Sequence, residues 1–206
     1  MNRGMSPAFF ERKVSVMRRF YTAESVTEGH PDKLCDLIAD SILDECLKQD
    51  PEAKVACEVL ATKGHILIAG EITSRYEPYV FWTAKDVLEK VGYPSRDIHM
   101  EARIHHQSPD IAGAVESPWE KRKGMPEQTF EMEYGAGDQG VMIGYACEET
   151  PQKMPMPAVL ANRVAAELTA CRKSRYIQGI LPDGKAQVTV EYEDGKPVRL
   201  DSVVVS

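Results

Sequence analysis

Two runs of β-forming residues, Lys54–Thr62 and His65–Thr73, flank the dipeptide Lys63-Gly64 and constrain the fold of this chain more than any other feature. An Xaa-Gly pair between two such runs is typical of a β-hairpin with a two-residue turn. With that turn, Glu58 and Glu71 become diagonal neighbours on one face, roughly 7–8 Å apart at the backbone. The opposite face is apolar and is predicted to face the core; it carries Val55, Cys57, Val59, Ile66, Ile68 and Ile72.

The face with the two glutamates has two interpretations. Two carboxylates on one face of a hairpin are often simply solvated. However, Ala56, Leu60 and Ala69 are small or apolar neighbours, and carboxylates that are partly buried need a cation or a hydrogen-bond donor. An alkali ion or the ammonium group of a substrate would meet that need, and the sequence leaves both interpretations open.

An amphipathic helix is predicted from Pro31 to Gln49, because apolar residues recur at the spacing of one helix face and Asp50-Pro51 then ends the pattern. Pro31 suits the first helical position, which makes His30 the cap and places Asp32 in the first turn. The free N–H groups and the positive dipole at a helix start attract phosphate. The same residues are also ordinary capping chemistry. A solvated face explains the other aspartates of the helix, Asp36, Asp40 and Asp44.

The rest of the chain alternates between strand and helix patterns. The predicted elements are a helix over Pro78–Val91, a strand over Ile98–Ile104, an apolar strand over Val141–Ala146, a helix after Pro155, and an antiparallel pair over Leu181–Tyr192 and Pro197–Ser206.

Two further segments could contact a ligand. The glycines of Gly135–Gly140 allow the backbone to approach a ligand closely, although the spacing is not that of a dinucleotide-binding turn. Lys185 at the start of a strand is either an exposed turn lysine or a phosphate contact. A long polar stretch between Ile111 and Gly135 is typical of a lid or a disordered loop.

The composition excludes several classes of function. A net charge of −7 argues against a general nucleic-acid or membrane-surface binder, since both need a basic face. Five cysteines without CxxC spacing fit neither a disulfide framework nor a zinc site, and a cytoplasmic protein is expected. Residues 1–18 are basic without a secretory apolar core, and we expect a mobile N-terminal extension.

Six segments, taken together and in this order, resemble the S-adenosylmethionine synthetase (methionine adenosyltransferase) family. They are Glu24–Lys33, Ala56–Glu58, Ala69–Thr73, Gln107–Ile111, Gly135–Gly140 and Pro182–Thr189. The resemblance implies transfer of the adenosyl group of ATP to the sulfur of L-methionine, which gives S-adenosylmethionine, phosphate and diphosphate. It also implies that Mg²⁺ and K⁺ are required.

Roles for individual residues follow from the same resemblance. It implies that His30 and Lys185 act in catalysis. ATP would be bound by His30, Asp183, Gly184 and Lys185, and methionine by Glu71, Gln107 and Asp138. Asp32 would ligate Mg²⁺, and Glu58 would hold K⁺.

The resemblance further implies an α+β fold with repeated domains of β-sheet and helix, and a homo-oligomer with active sites at the dimer interface. We expect an N-terminal domain over 19–112, a flexible loop over 113–133 and a central domain over 134–206 that is incomplete. Family members are nearly twice this length, so the chain is expected to be a truncated form that is inactive alone.

Two departures from the family's usual residues, Leu37 and Asn162, carry no chemistry in this interpretation. An alternative function is a truncated, non-catalytic paralogue or partner subunit that dimerises with an intact synthetase. An unrelated ATP-dependent ligase or kinase would need motifs that the sequence lacks.

Overall fold

The computed structural model describes residues 17–108, 123–124 and 140–206. The described elements confirm the predicted α+β class. In chain order they are β1 (Arg18–Val26), α1 (Pro31–Gln49), β2 (Lys54–Thr62), β3 (His65–Thr73), α2 (Val80–Val91), a 3₁₀ turn (Ser95–Asp97), β4 (His99–His105), α3 (Met156–Lys173), β5 (Lys185–Glu193) and β6 (Lys196–Val205).

Strands β2, β3 and β4 form the first sheet, which we call sheet I. Strands β2 and β3 are antiparallel, and β4 adds to β3 in parallel. The hairpin register is the predicted one: Thr62 faces His65, and Glu58 faces Ala69. The bounds of α1 and of both hairpin strands are also confirmed.

Helices α1 and α2 pack on the inner face of sheet I and form the larger core. Its buried residues are Leu34, Ile38, Ile42 and Cys46 of α1, Ile66, Ile68 and Ile72 of β3, and Ala84, Val87, Leu88 and Val91 of α2. Removal of these side chains from water is the main source of stability for this half of the chain. Within the described residues nothing covers the outer face, where Leu60 is 58% exposed.

Strands β1, β5 and β6 form sheet II, in which β5 lies between two antiparallel neighbours. Thus β1, which precedes α1 in the chain, pairs with a strand from the far end of the sequence; Thr22 lies opposite Thr189. Helix α3 packs on this sheet around a small core of Ala161, Val188, Val190 and Tyr192. The predicted domain boundaries remain a prediction.

The predicted strand over Val141–Ala146 is wrong. These residues have no regular structure, and Val141, Met142 and Ile143 are 88%, 98% and 92% exposed. A strand needs a partner for its N–H and C=O groups, and no described strand pairs with this segment. Almost all of the predicted N-terminal extension and of the predicted flexible loop lie outside the described residues.

Candidate functional site

The loop before α1 lies directly against the segment that leads into β5. The Thr27 N–H donates to the Gly184 carbonyl at 2.9 Å, and the Gly29 N–H donates to the Pro182 carbonyl at 3.2 Å. The Thr27 hydroxyl also donates to the Pro182 carbonyl, at 2.6 Å. We call this contact between residues 27–30 and 182–185 the loop junction. It places two predicted ATP-binding segments side by side although they are far apart in sequence.

Glycine makes the close approach at the loop junction possible. A Cβ atom on Gly29 would lie 2.4 Å from the carbonyl carbon of Pro182, which is closer than real Cβ atoms come. A Cβ atom on Gly184 would lie 3.0 Å from Leu168 Cδ2 and 3.2 Å from Thr27 Cγ2. The junction is therefore packed backbone against backbone.

His30 caps α1 with its side chain. Its Nδ1 accepts the Asp32 backbone N–H at 3.3 Å, so the neutral imidazole carries its proton on Nε2. That proton makes Nε2 a hydrogen-bond donor at the positive end of the helix dipole. The Asp32 carboxylate is 91% exposed and 3.9 Å from His30 Nδ1, so its oxygens remain accessible to a cation.

Lys185 forms an ion pair with Glu24 across sheet II, with 2.5 Å between Nζ and the carboxylate oxygen. Both side chains are close to half exposed, and ion pairs of this kind contribute little to stability. A more highly charged anion could therefore compete with Glu24 for the lysine. Lys33 instead donates to the Val26 carbonyl at 2.7 Å and steadies the end of β1.

Tyr93 closes one side of the loop junction. Its hydroxyl donates to the Gly29 carbonyl at 2.8 Å. Burial raises the pKa of Tyr93, and the nearby Asp183 carboxylate raises it further. The hydroxyl thus remains a donor at neutral pH, and the Asp183 carboxylate faces the same place from the other segment.

The residues predicted to bind methionine and K⁺ form a second group on sheet I. Glu58 and Glu71 lie on its outer face, with Glu71 opposite His105 of β4. The Gln107 N–H donates to Thr73 Oγ1 at 3.3 Å, so Gln107 lies at the same end of the sheet as Glu71. The sequence argument for partial burial of both glutamates holds only for Glu71. Glu58 is exposed because nothing described covers this face.

The structure does not bring this second group to the loop junction. Helix α1 packs on the inner face of sheet I, whereas Glu58 and Glu71 point away from it. Asp138 lies outside the described residues. In the parts of the chain that the structure describes, no group of three or more His, Cys, Asp or Glu side chains could hold a metal ion.

Sequence reasoning missed a charged cluster beside the loop junction. Arg172 of α3 donates to Glu28 at 2.5 Å and to the Val91 carbonyl at 2.8 Å. Lys173 contacts the same glutamate at 2.8 Å. Two basic residues in the last turn of a helix suggest only a dipole interaction. Their acidic partner is far away in the sequence, so the sequence alone could not have identified it.

Two family models match the chain. The N-terminal domain of S-adenosylmethionine synthetase matches residues 18–113, and the central domain of the same enzyme matches residues 133–206. The chain belongs to the S-adenosylmethionine synthetase family. This finding confirms the resemblance that the six sequence segments indicated.

Similar curated proteins carry the name S-adenosylmethionine synthase. One from Parafrankia sp. (strain EAN1pec) is 47% identical over 196 residues, which are 91% of this chain and 49% of the relative. One from Thermosynechococcus vestitus is 46% identical over 197 residues, 92% of this chain and 47% of the relative. One from Brachyspira hyodysenteriae is 47% identical over 195 residues.

The chain spans about half the length of the curated relatives it matches.

Every helix within residues 17–108, 123–124 and 140–206 is too short or too polar to cross a bilayer.

Proposed function

We propose that this chain supplies part of the active site of a methionine adenosyltransferase, which makes S-adenosylmethionine, phosphate and diphosphate from ATP and L-methionine. The observation that supports this most is the loop junction. Backbone hydrogen bonds hold the loop before His30 against Pro182 and Gly184, and the two segments carry residue types suited to a polyphosphate.

The chemistry explains why such a site needs few proton-transfer groups. A thioether sulfur carries no proton, so its attack on the ribose 5′ carbon needs no general base. The reaction depends instead on alignment of the two substrates and on stabilisation of the leaving triphosphate. Donors that are fixed in place before the reaction supply that stabilisation without reorganising.

Donors from both segments of the loop junction would contact the triphosphate. The Nε2–H of His30 offers a hydrogen bond to a phosphate oxygen at the positive end of the α1 dipole, whereas Pro31 has no N–H and the Asp32 N–H is already donated to His30 Nδ1. Lys185 adds a positive charge once it leaves Glu24. Asp183 and Gly184 form the opposite wall, where the Gly184 backbone is held by Thr27. We assign catalysis to His30 and Lys185.

Asp32 fits a magnesium site of the kind that a nucleotide completes. Mg²⁺ keeps several waters and takes one or two carboxylates together with substrate phosphates, and Asp32 is an exposed carboxylate beside the proposed phosphate position. The ion would neutralise charge on the triphosphate. Glu58 would offer its carboxylate to K⁺ from the exposed outer face of sheet I.

Glu71 and Gln107 suit methionine. A carboxylate matches the ammonium group of an amino acid, and an amide can bind either end of it. Because this pair lies on the outer face of sheet I, away from the loop junction, we propose that a second copy of the chain covers that face. The active sites of the homo-oligomer would then combine both groups across a dimer interface, with Asp138 contributing to the methionine site.

We also propose that the 206-residue chain does not turn over alone, since its described residues keep the two binding groups apart and include no group of three or more His, Cys, Asp or Glu side chains that could hold a metal ion. Product from the purified chain with ATP, methionine, Mg²⁺ and K⁺ would disprove this proposal.

The five free thiols are typical of a reducing compartment, which fits the cytoplasm, where we place the protein.

The magnesium role is tested by Asp32→Asn in an intact enzyme that carries this sequence. We expect kcat/KM for ATP to fall at least about 100-fold, because a metal ligand is lost. Asp36→Asn, the same change one turn later on the exposed side of α1, is the matched control and should leave the rate within about twofold of wild type. Near-normal turnover by the Asp32 variant would refute the role.

A further inference from the structure

We propose that Arg172 is a positioning residue: through Glu28 it holds the loop before α1 where His30 can meet a phosphate. The inference rests on the proposed function. It adds a residue that touches neither the substrate position nor the metal position.

One guanidinium group links three parts of the chain. Arg172 projects from the last turn of α3, and its Nη2 donates both to the Glu28 carboxylate at 2.5 Å and to the Val91 carbonyl at the end of α2 at 2.8 Å. The end of α2 and the loop before α1 are therefore fixed to the same atom. A lysine would place its ammonium nitrogen one bond nearer to Cα on a more flexible stem, so it would reach the two oxygens less well.

The end of α2 is shaped around the arginine. Gly92 has a left-handed φ of +104°, and a Cβ atom there would lie 2.9 Å from Arg172 Nη1. Gly92 thus ends the helix and also leaves room for the guanidinium group. The Arg172 side chain is only 15% exposed, and Glu28 is 23% exposed.

The pairing is a poor way to gain stability. Burial of two charges costs much of what their attraction returns. In addition, Arg172 Nε is buried and finds no hydrogen-bond partner among the described residues. Such an arrangement is better explained by the position that it enforces, and the position enforced here is that of Glu28.

Glu28 lies two residues before His30 within a single tight turn, in which the His30 N–H donates to the Thr27 carbonyl at 3.1 Å. Movement of Glu28 therefore moves the cap of α1 relative to Pro182–Lys185. Small displacements of binding groups have large effects on a site that depends on alignment. Lys173 also contacts Glu28, but at 49% exposure it has the freedom of a surface side chain.

The test measures the affinity of the 206-residue chain for inorganic tripolyphosphate with Mg²⁺ by calorimetry. The variants are Arg172→Met, Arg172→Lys, Glu28→Gln and His30→Ala, each shown to be folded by circular dichroism at the assay temperature. Arg163→Met, the same change at an exposed position of α3, is the matched control.

We expect Arg172→Met and Glu28→Gln to weaken binding about tenfold, Arg172→Lys to restore little of it, and Arg163→Met to change it less than twofold. Amide signals of Thr27 and His30 should shift in the Arg172 variants before any ligand is added. A merely structural role would lower the melting temperature and leave the affinity of the folded protein unchanged.

The outcomes separate this inference from the proposed function. Wild-type affinity in folded Arg172→Met, with weakened binding in His30→Ala, would overturn the positioning role alone. If Arg172→Met does not fold, wild-type affinity in Glu28→Gln overturns it equally. Wild-type affinity in His30→Ala would overturn the phosphate role of His30, and the positioning inference with it.

Discussion

Gly29→Ala should separate the two halves of the loop junction. The new Cβ atom would lie 2.4 Å from two atoms of Pro182 and 2.6 Å from its carbonyl oxygen. Two of these three atoms belong to the backbone, so no side-chain rotation can relieve the overlap. Either the loop or the Pro182 segment must move, and the hydrogen bond from Gly29 N–H to the Pro182 carbonyl is then lost.

The expected cost combines three contributions. Overpacking of a tight contact costs about 1–3 kcal/mol, and a lost hydrogen bond costs about 1 kcal/mol. Replacing glycine by alanine returns about 0.4–1 kcal/mol by restricting the unfolded chain. The net loss is about 1–3.5 kcal/mol, which corresponds to a fall in Tm of about 2–14 °C for a chain of this length.

Thermal unfolding followed by circular dichroism measures this effect, and hydrogen exchange at Thr27 locates it. The matched control is Gly144→Ala, where a Cβ atom meets nothing within 4 Å. That variant should melt within about 2 °C of wild type, since exposed substitutions change stability by less than about 0.5 kcal/mol. A Tm for Gly29→Ala equal to that of the control would show that the junction is not packed as described.

Two further predictions concern partly buried carboxylates. Burial alone would raise the pKa of Glu45, but hydrogen bonds from Thr83, Tyr76 and the Tyr79 N–H hold it below its ordinary value of 4.5. The stability that these bonds add is present above about pH 4.5 and is lost as the pH falls through the lower folded-state pKa of Glu45. Urea unfolding at several pH values should show this loss in the wild-type protein. The Glu45→Gln variant should not show it. Tyr192→Phe removes the 2.5 Å hydrogen bond that the buried Tyr192 hydroxyl donates to Glu149. It should cost about 1.5–3 kcal/mol in urea unfolding, and a cost below about 0.5 kcal/mol would contradict that bond.

The sequence predicts the local elements well because local signals determine them. Asp50-Pro51 ends α1 where the helix pattern predicts, and Lys63-Gly64 sets the register of every pair in the hairpin. A one-residue slip would expose the core side chains of β3, so the hydrophobic pattern and the turn agree on a single register.

Contacts between distant segments could not be predicted in the same way. No local pattern in β1 indicates that it pairs with β5, and none in Glu28 indicates an arginine in α3. The strand predicted at Val141–Ala146 failed for a related reason. Its apolar composition suits a strand, but a strand also requires a neighbour, and that requirement depends on the rest of the fold.

The candidate site was predictable as a set of residues and not as an arrangement. The sequence indicated His30, Asp32 and Asp183–Lys185 separately, whereas the structure shows that backbone hydrogen bonds join the residues just before His30 to Pro182 and Gly184. It also shows Lys185 paired with Glu24. This carboxylate would compete with phosphate for the lysine, and no motif revealed it.

The account can be tested by titrating ¹⁵N-labelled chain with tripolyphosphate and Mg²⁺ while following the backbone amide signals. If the loop junction binds phosphate as one site, the amides of Gly29, His30, Asp32 and Lys33 and those of residues 183–185 shift together along a single binding curve. The amides of Glu58 and Glu71, on the outer face of sheet I, stay in place. Shifts in only one of the two segments, or in neither, would contradict the account.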